Sequence, residues 1–218
     1  MSTPRRKKKF LDVRRGEMLR SAESNRRYNM IKNHYHIVRN ALPHDLCDHL
    51  IVQSFLYNSP QKAKVHNPTG FVDNPDVRNT EVVFHPCKSD LGKFFKQNAK
   101  TVNKEAEWFF NISRIETIQI LKYTRGSFYN RHADLTTPSG TGYHQKQRKI
   151  SCSLQLNSSA EYHGGKFNLF SLDGQTLNIS LNKGDLLLFP SFIPHEVEQV
   201  TKGIRYSSTA WIEGLSFR

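Results

Sequence analysis

Cysteine is scarce in this sequence of 218 residues. The three that occur, Cys47, Cys87 and Cys152, are an odd number with no paired spacing, which argues against a disulfide framework and favours a reducing compartment. Long apolar runs are also lacking. Even Asp185 to Pro190 is far shorter than the roughly 20 residues of a membrane span, and the N-terminus has no stretch typical of a signal peptide. We therefore expect a soluble, cytoplasmic protein with no membrane partner.

Acidic residues are few, since 19 Asp and Glu face 32 Lys and Arg, for a net charge of +13. Residues 1–40 carry twelve basic and three acidic side chains, so +9 of this charge lies there and 13 − 9 = +4 lies in the rest. The run from Arg5 to Lys9 is typical of segments that attract polyanions. Aromatic side chains that could stack on bases are sparse, with only Phe10 and Tyr28 nearby, so sequence-specific nucleic-acid recognition gains little support.

These charges leave two interpretations of the N-terminus open. A possible anionic partner, a nucleic acid or ribonucleoprotein, would bind through residues 1–33. A solvated and partly disordered terminus explains the composition equally well. In both cases we predict a basic N-terminal extension over residues 1–33 and one domain over residues 34–218, because the chain is long enough for one substantial core and too short for two.

The domain is predicted to begin with helices and to continue with strands. Apolar residues recur at helical spacing after Pro43, where Leu46, Leu50, Ile51 and Phe55 would face the core, and again from about Lys88 to Glu107. From Ile115 to Ile212, eight short apolar segments alternate with turn signals. This pattern favours a jelly roll over a parallel sheet.

One short stretch carries residues suited to metal binding. The segment from Tyr123 to Asp134 ends in His132-Ala133-Asp134, and alternate side chains of an extended strand point to one face, so the two could share a metal ion. His-x-Asp is common by chance. His195 would complete a set of two histidines and one carboxylate, which is typical of non-haem Fe(II) and leaves other coordination positions open. Further on, Arg205 has a guanidinium suited to hold a carboxylate at two points, such as the distal one of 2-oxoglutarate.

With these residues in view, the chain resembles the 2-oxoglutarate- and Fe(II)-dependent dioxygenases of the prolyl 4-hydroxylase-like family. The family pattern Y-x-x-G-x-x-Y-x-x-H-x-D is met at Tyr123, Gly126, Tyr129, His132 and Asp134. Further blocks follow in the family's order through the C-terminal half: Arg148, Ser151 and Asn157; Gly164-Gly165; Lys183 to Phe189; and finally His195, Arg205 and Trp211. Four blocks in order make a chance match improbable.

The resemblance implies a mostly β fold, a double-stranded β-helix or jelly roll with supporting N-terminal helices. It also implies an oxidoreductase that uses Fe(II), 2-oxoglutarate and dioxygen, with ascorbate as reductant. Three kinds of contact follow for this sequence: metal binding by His132, Asp134 and His195; cosubstrate binding by Tyr123, Arg205, Ser207 and Ser151; and substrate binding by Tyr129, Arg148 and Trp211. The three metal ligands and Arg205 are the expected catalytic residues.

The expected reaction is hydroxylation of a prolyl residue in a protein or peptide. A hydroxylase of a free amino acid or other small molecule is an alternative. Another is a nucleic-acid-directed dioxygenase recruited by the basic tail, although that family places a second arginine where this chain has Trp211. A non-catalytic metal-binding jelly roll would not need Arg205 or Tyr123. The polar insertion from Leu135 to Gln147 is a candidate substrate lid.

Overall fold

The computed structural model describes residues 33–67, 70–135 and 145–217. Residues 34–218 group into one compact unit. Most of the predicted basic extension, and most of the candidate lid, therefore lie outside the described residues, and the boundary at residue 33 stays a prediction. Within the described ranges, no helix has both the length and the apolar character that crossing a membrane would require.

Strands make up most of the described chain, and nearly all are short. In chain order they are β1 (His36–Val38), β2 (Gln61–Lys62), β3 (Val65–Asn67), β4 (Gly70–Val72), β5 (Arg78–Asn79), β6 (Glu81–His85), β7 (Arg114–Ile115), β8 (Ile118–Tyr123), β9 (Phe128–His132), β10 (Lys146–Gln155), β11 (Tyr162–Gly164), β12 (Phe167–Phe170), β13 (Thr176–Ile179), β14 (Leu186–Pro190), β15 (His195–Val197), β16 (Val200–Gly203) and β17 (Arg205–Leu215).

Two antiparallel sheets dominate this arrangement. The major sheet has the order β1-β14-β10-β17-β8-β6-β2, with β7 paired to β17, and the minor sheet has the order β13-β12-β15-β9-β5. Their inner faces share one apolar core, in which Leu121 and Phe189 of the major sheet pack with Phe167 and Val197 of the minor sheet. Within each sheet, most neighbouring strands are distant in sequence, and the two sheets pack face to face around the shared core. The predicted mostly β jelly roll is confirmed.

Two helices, α1 (His44–Leu56) and α2 (Asp90–Glu105), cover the outer face of the major sheet. Helix α2 begins after Ser89, whose Oγ accepts a hydrogen bond from the Gly92 amide at 3.2 Å. Its residues Leu91, Phe95, Ala99 and Val102, at spacings of three to four, pack in the outer core with Ile150 and Cys152 of β10. The predicted face of α1 was partly wrong, because Leu46 is exposed and Cys47 is buried instead.

Alternation along β17 directs its side chains to two different places. Ala210 and Ile212 point outward into the core under the helices. Arg205, Ser207 and Trp211 point inward and line a cavity between the sheets. Because successive residues of a strand face opposite sides, one strand contributes to both the core and the site.

Some extended segments do not form one continuous strand. The segment from Arg78 to His85 is divided between the sheets, since β5 belongs to the minor sheet and β6 to the major sheet. Between them, the hydroxyl of buried Thr80 donates to the Lys122 carbonyl oxygen at 2.9 Å. A chain that passes from one sheet to the other must leave one hydrogen-bonded ladder before it enters the next. Similarly, β9 ends at His132, so Asp134 follows the strand rather than lying within it.

A buried carboxylate, Asp185, joins the N-terminal strand to the barrel. It accepts hydrogen bonds from Asn182 N at 2.8 Å, Asn40 N at 2.9 Å and Arg39 Nη1 at 2.6 Å. Burial alone would raise the pKa of Asp185, but these donors outweigh it and hold that pKa below its usual value. The carboxylate therefore stabilises the fold above about pH 4, and this contribution is lost as the pH falls through the lowered native pKa.

Replacing this carboxylate tests its contribution to stability. Asp185→Asn should lower the free energy of unfolding at neutral pH by about 2–4 kcal/mol. The NH2 group of the new side chain would face backbone or guanidinium N–H groups, which need an acceptor. The difference from the wild type should shrink below about pH 4. Urea melts across pH would measure it, with the exposed Asp76→Asn as control. A difference that is independent of pH would contradict this role of the charge.

Candidate active site

The three predicted metal ligands converge at one end of the barrel. His132 ends β9, Asp134 follows two residues later, and His195 opens β15 as the direct strand partner of His132. Their ligand atoms all lie within 4.8 Å of one another, and within the described ranges they are the one group of this kind. Asp134 Oδ2 lies 3.4 Å from His195 Nε2, and Oδ1 lies 3.7 Å from His132 Nε2. This donor set fits a divalent iron ion with open positions.

Backbone carbonyls orient both imidazole rings. His132 Nδ1 lies 2.7 Å from the carbonyl oxygen of Asn130, and His195 Nδ1 lies 3.1 Å from that of Ile193. A carbonyl oxygen can only accept, so each Nδ1 carries the proton and each Nε2 presents its lone pair. Burial lowers the pKa of His132 to about 3, which favours the neutral, ligating form. The local structure thus prepares both rings for a metal.

Asp134 is held as a carboxylate. Burial alone would raise the pKa of Asp134, but His195, His132, Arg148 and the hydroxyl of Ser151 outweigh it and hold that pKa at about 2. The group is therefore ionised throughout the range in which the protein would work. An ionised carboxylate beside the neutral His132 imidazole favours a cation.

An irregularity between β9 and β15 adds an aromatic wall. The register shifts between His195 and Val197, so that Tyr129 and His132, three residues apart, both face the interior. The Tyr129 ring stacks on the His132 ring with 3.5 Å between centroids. Burial raises the pKa of Tyr129 to about 12, so its hydroxyl keeps its proton. A uniform period of two would have sent these two side chains to opposite faces.

A second irregularity brings Arg148 and Ser151 together. The register of β10 with β17 shifts between Arg148 and Ile150, which leaves Lys149 as the extra residue of a bulge. Because of this bulge, Arg148 and Ser151 both reach Asp134. Arg148 Nη1 lies 4.0 Å from Asp134 Oδ1, and the Ser151 hydroxyl donates to Asp134 Oδ2 at 2.7 Å. Ser191, which the sequence did not single out, lies 3.0 Å from that hydroxyl.

Ser151 was predicted as a cosubstrate contact, and the structure gives it a different neighbour. Its hydroxyl donates to Asp134 Oδ2, the oxygen that lies 3.4 Å from His195 Nε2, whereas Ser153 lines the cavity. We expect Ser151→Ala to weaken Fe(II) binding by about tenfold to a hundredfold, because an unanchored carboxylate must be ordered when the metal binds. Equilibrium titration with Fe(II) would measure this. Ser208→Ala is a matched control, since Ser208 is equally buried but points to the outer core, where its hydroxyl has no hydrogen-bond partner among the described residues. Equal affinities in the two variants would contradict the role.

One cavity is lined by the three predicted ligands and also by Arg205. Arg205 is only 2% exposed, and its Nη1 donates to Ser207 Oγ at 3.2 Å while the guanidinium lies 5.4 Å from the centre of the Tyr123 ring. Among the described residues it has no carboxylate partner. Because an uncompensated buried cation is unfavourable, the site fits a ligand that brings its own carboxylate, as 2-oxoglutarate does.

The remaining predicted contacts surround the mouth of the cavity. Arg148 makes a two-point ion pair with Glu116, through bonds of 2.6 and 2.7 Å, and lies 3.9 Å from the centre of the Trp211 ring. Arg78 lies 4.6 Å from the centre of the Tyr129 ring. Sequence reasoning missed Arg78 and Glu116, because each comes from a separate, earlier strand region and neither carries a local signal.

The antiparallel barrel, the group of two histidines and one carboxylate, and a buried arginine without a carboxylate partner among the described residues fit the class of non-haem oxygenases that use a 2-oxo acid. Comparison with known proteins agrees with this class. Residues 118–213, which include all three metal ligands and Arg205, match the 2OG-Fe(II) oxygenase superfamily. This part of the chain is similar to the domain of that superfamily, in agreement with the predicted class.

Curated relatives match over the same half of the chain. A PKHD-type hydroxylase of Aliarcobacter butzleri is 38% identical over 95 residues, which is 43% of this chain and 42% of the relative. A PKHD-type hydroxylase of a Synechococcus species is 35% identical over 102 residues, 46% of this chain and 44% of the relative. The chain thus spans less than half the length of these relatives.

Solved structures resemble a larger part of the chain. A prolyl-4-hydroxylase of Pseudomonas putida has a TM-score of 0.63 at 21% identity and covers 84% of this chain and 94% of its own. A prolyl hydroxylase of Trichoplax adhaerens, in complex with a peptide fragment of the hypoxia inducible factor oxygen degradation domain, has a TM-score of 0.60 at 21% identity and covers 88% of this chain and 91% of its own. At these identities the likeness shows a shared fold.

Proposed function

We propose that this protein is an Fe(II)- and 2-oxoglutarate-dependent hydroxylase of a prolyl residue in a protein or peptide. The observation that carries the proposal is that the His132, Asp134 and His195 set lines one cavity with Arg205, which has no carboxylate partner among the described residues. When bound, iron and 2-oxoglutarate with dioxygen would supply oxidative decarboxylation to succinate and the hydroxylation of a C–H bond, with ascorbate as reductant.

The protein's own groups would bind, orient and dehydrate the reactants. Arg205 would hold the distal carboxylate of 2-oxoglutarate, with Ser207 and Tyr123 beside it. Apolar rings close the walls around His195, since Phe189 lies 4.7 Å and Phe167 lies 5.6 Å from its ring, between centroids. Such walls exclude water, which strengthens each charge interaction within the cavity.

The mouth of the cavity offers donors for a peptide. Trp211 Nε1 and Arg78 Nε are buried and make no hydrogen bond within the described residues. Buried donors without partners are rare in folded proteins, and a peptide backbone has carbonyl oxygens to satisfy them. With Tyr129 and Arg148 they form the proposed substrate contacts. The Trichoplax neighbour, which was solved with a peptide, supports a protein or peptide substrate.

The experiment is a turnover assay with Fe(II), 2-oxoglutarate and ascorbate against proline-containing peptides and a matched set of free amino acids. Mass spectrometry should show the gain of one oxygen on a prolyl residue of a peptide, together with succinate. His195→Ala, which removes one ligand, is the negative control. Succinate without any oxidised peptide, or oxidation of the free amino acids alone, would overturn the peptide assignment while leaving the cofactors in place.

For the basic N-terminus we propose binding to an anionic partner, supported by the concentration of positive charge within residues 1–33. A variant with Arg5 to Lys9 replaced by Ser should bind a structured RNA more weakly than the wild type, and the difference should shrink as salt rises. Turnover on a short peptide should stay within about threefold, because the proposed site residues all follow residue 77. Equal RNA binding at low salt would contradict the proposal.

A further inference from the structure

Gly165 lies in the turn between β11 and β12, against the aliphatic stem of Arg205. Its φ is +61°, in the left-handed region that favours glycine. A β-carbon on Gly165 would lie 3.2 Å from Arg205 Cδ, 2.9 Å from Val200 Cγ2 and 3.4 Å from Tyr162 Cε2. There is accordingly no room for a side chain at this position unless a neighbour moves.

The wall that Gly165 forms is firmly attached. Its amide donates to the carbonyl oxygen of Gln199 at 3.1 Å, and the preceding Gly164 pairs with Val200 in the β11–β16 ladder. Val200 is fully buried in the inner core and β-branched, so its methyl group has little freedom. Of the close neighbours, the stem of Arg205 is the one with several rotatable bonds, and it is the one that a methyl group would displace.

Arg205 makes few polar contacts among the described residues. It lines the cavity that holds the predicted metal ligands, and it also lines a second cavity together with Gly165. Its guanidinium makes one hydrogen bond within the described residues, to Ser207. A long side chain with so few polar contacts takes its position largely from what its stem packs against, and one of those surfaces is Gly165.

We propose that Gly165 is a positioning residue for Arg205, and that this wall gives the site its selectivity for 2-oxo acids that carry a second carboxylate. The inference rests on the proposed function, because it takes Arg205 as the partner of the distal carboxylate of 2-oxoglutarate. A two-point contact between a guanidinium and a carboxylate is sensitive to displacement of the fork. A methyl group on Gly165 displaces it without touching the metal ligands.

The test measures binding rather than turnover. Calorimetric titration of the Mn(II)-loaded protein without oxygen gives affinities for 2-oxoglutarate and for 2-oxobutyrate, which has the same chelating end and no second carboxylate. Gly165→Ala should weaken 2-oxoglutarate binding by about tenfold or more and leave 2-oxobutyrate within about twofold. The affinity ratio of the two acids is a readout that general loosening of the fold would not change selectively.

Gly174→Ala is the matched control. Gly174 also has a positive φ, of 86°, but a β-carbon there would meet nothing within 4 Å. This variant carries the same kind of backbone strain with no new contact, and both affinities should stay within about twofold of the wild type. If Gly165→Ala folds poorly, the same change in a Val200→Ala background, compared with Val200→Ala alone, removes the tightest contact and keeps the one with Arg205.

Two results would overturn the proposal: unchanged binding of both acids in Gly165→Ala, or equal weakening of both. Failure of the proposed function looks different, because the wild-type protein would then fail to bind 2-oxoglutarate in the presence of Mn(II). Wild-type binding together with an unchanged acid ratio in the variant would leave the proposed function standing and remove the role of Gly165.

Discussion

Asp134→Ala is expected to abolish turnover and to weaken Fe(II) binding by more than a hundredfold. Asp134 supplies the single carboxylate of the ligand group, and imidazole ligands alone, which bring no negative charge to the metal, bind Fe(II) weakly. The fold should persist, because the apolar cores on both faces of the major sheet do not depend on an ion. Fe(II) titration, turnover and thermal melting of the same preparation would measure all three.

Asp173→Ala is the appropriate control for loss of a carboxylate. Asp173 is exposed in the turn between β12 and β13, away from the metal ligands, so its removal should leave Fe(II) affinity and turnover unchanged. Near wild-type activity of Asp134→Ala at saturating Fe(II) would show that Asp134 is not a required ligand. The same comparison applies to His132→Ala and His195→Ala, which should be as inactive as the Asp134 variant.

Arg205→Ala is expected to weaken 2-oxoglutarate binding by about a hundredfold or more. The change removes both hydrogen bonds of the proposed guanidinium contact and leaves the distal carboxylate of 2-oxoglutarate unpaired in a buried cavity. This should cost several kcal/mol of binding free energy. Arg205→Lys should lose less affinity for 2-oxoglutarate, because lysine keeps the positive charge although it cannot make the two-point contact. Titration of 2-oxoglutarate into the Mn(II)-loaded variants measures the affinities.

Stability gives an independent view of the same arginine. In the absence of ligand, Arg205 is a buried cation without a carboxylate partner among the described residues, so Arg205→Ala should leave the melting temperature unchanged or raise it. Added 2-oxoglutarate should then raise the melting temperature of the wild type more than that of the variant. An unchanged 2-oxoglutarate affinity in the alanine variant, or a large loss of stability without ligand, would contradict the assignment.

The convergence of His132, Asp134, His195 and Arg205 could be predicted from the sequence because their signals are local. His132 and Asp134 lie within one short pattern, and the blocks around His195 and Arg205 follow in the order of the family. Short apolar segments separated by turn residues likewise indicated a jelly roll, since strands and turns depend on nearby residues. The inner and outer faces of β17 also follow from alternation alone.

Tertiary structure alone decided how the surrounding residues meet. A bulge at Lys149 lets Arg148 and Ser151 reach the same carboxylate, and a register shift beside β9 lets Tyr129 stack on His132. Residues three apart on a regular strand face opposite sides, so the sequence pattern predicts neither pairing.

The same reason explains the partners that sequence reasoning missed. Ser191 meets Ser151 across the β10–β14 ladder, and Glu116 reaches Arg148 from the segment between β7 and β8. The site was thus determined by the sequence as a set of chemical groups. Its geometry was decided by long-range strand pairing, because hydrogen-bond registers between strands distant in sequence have no periodic signal within either strand.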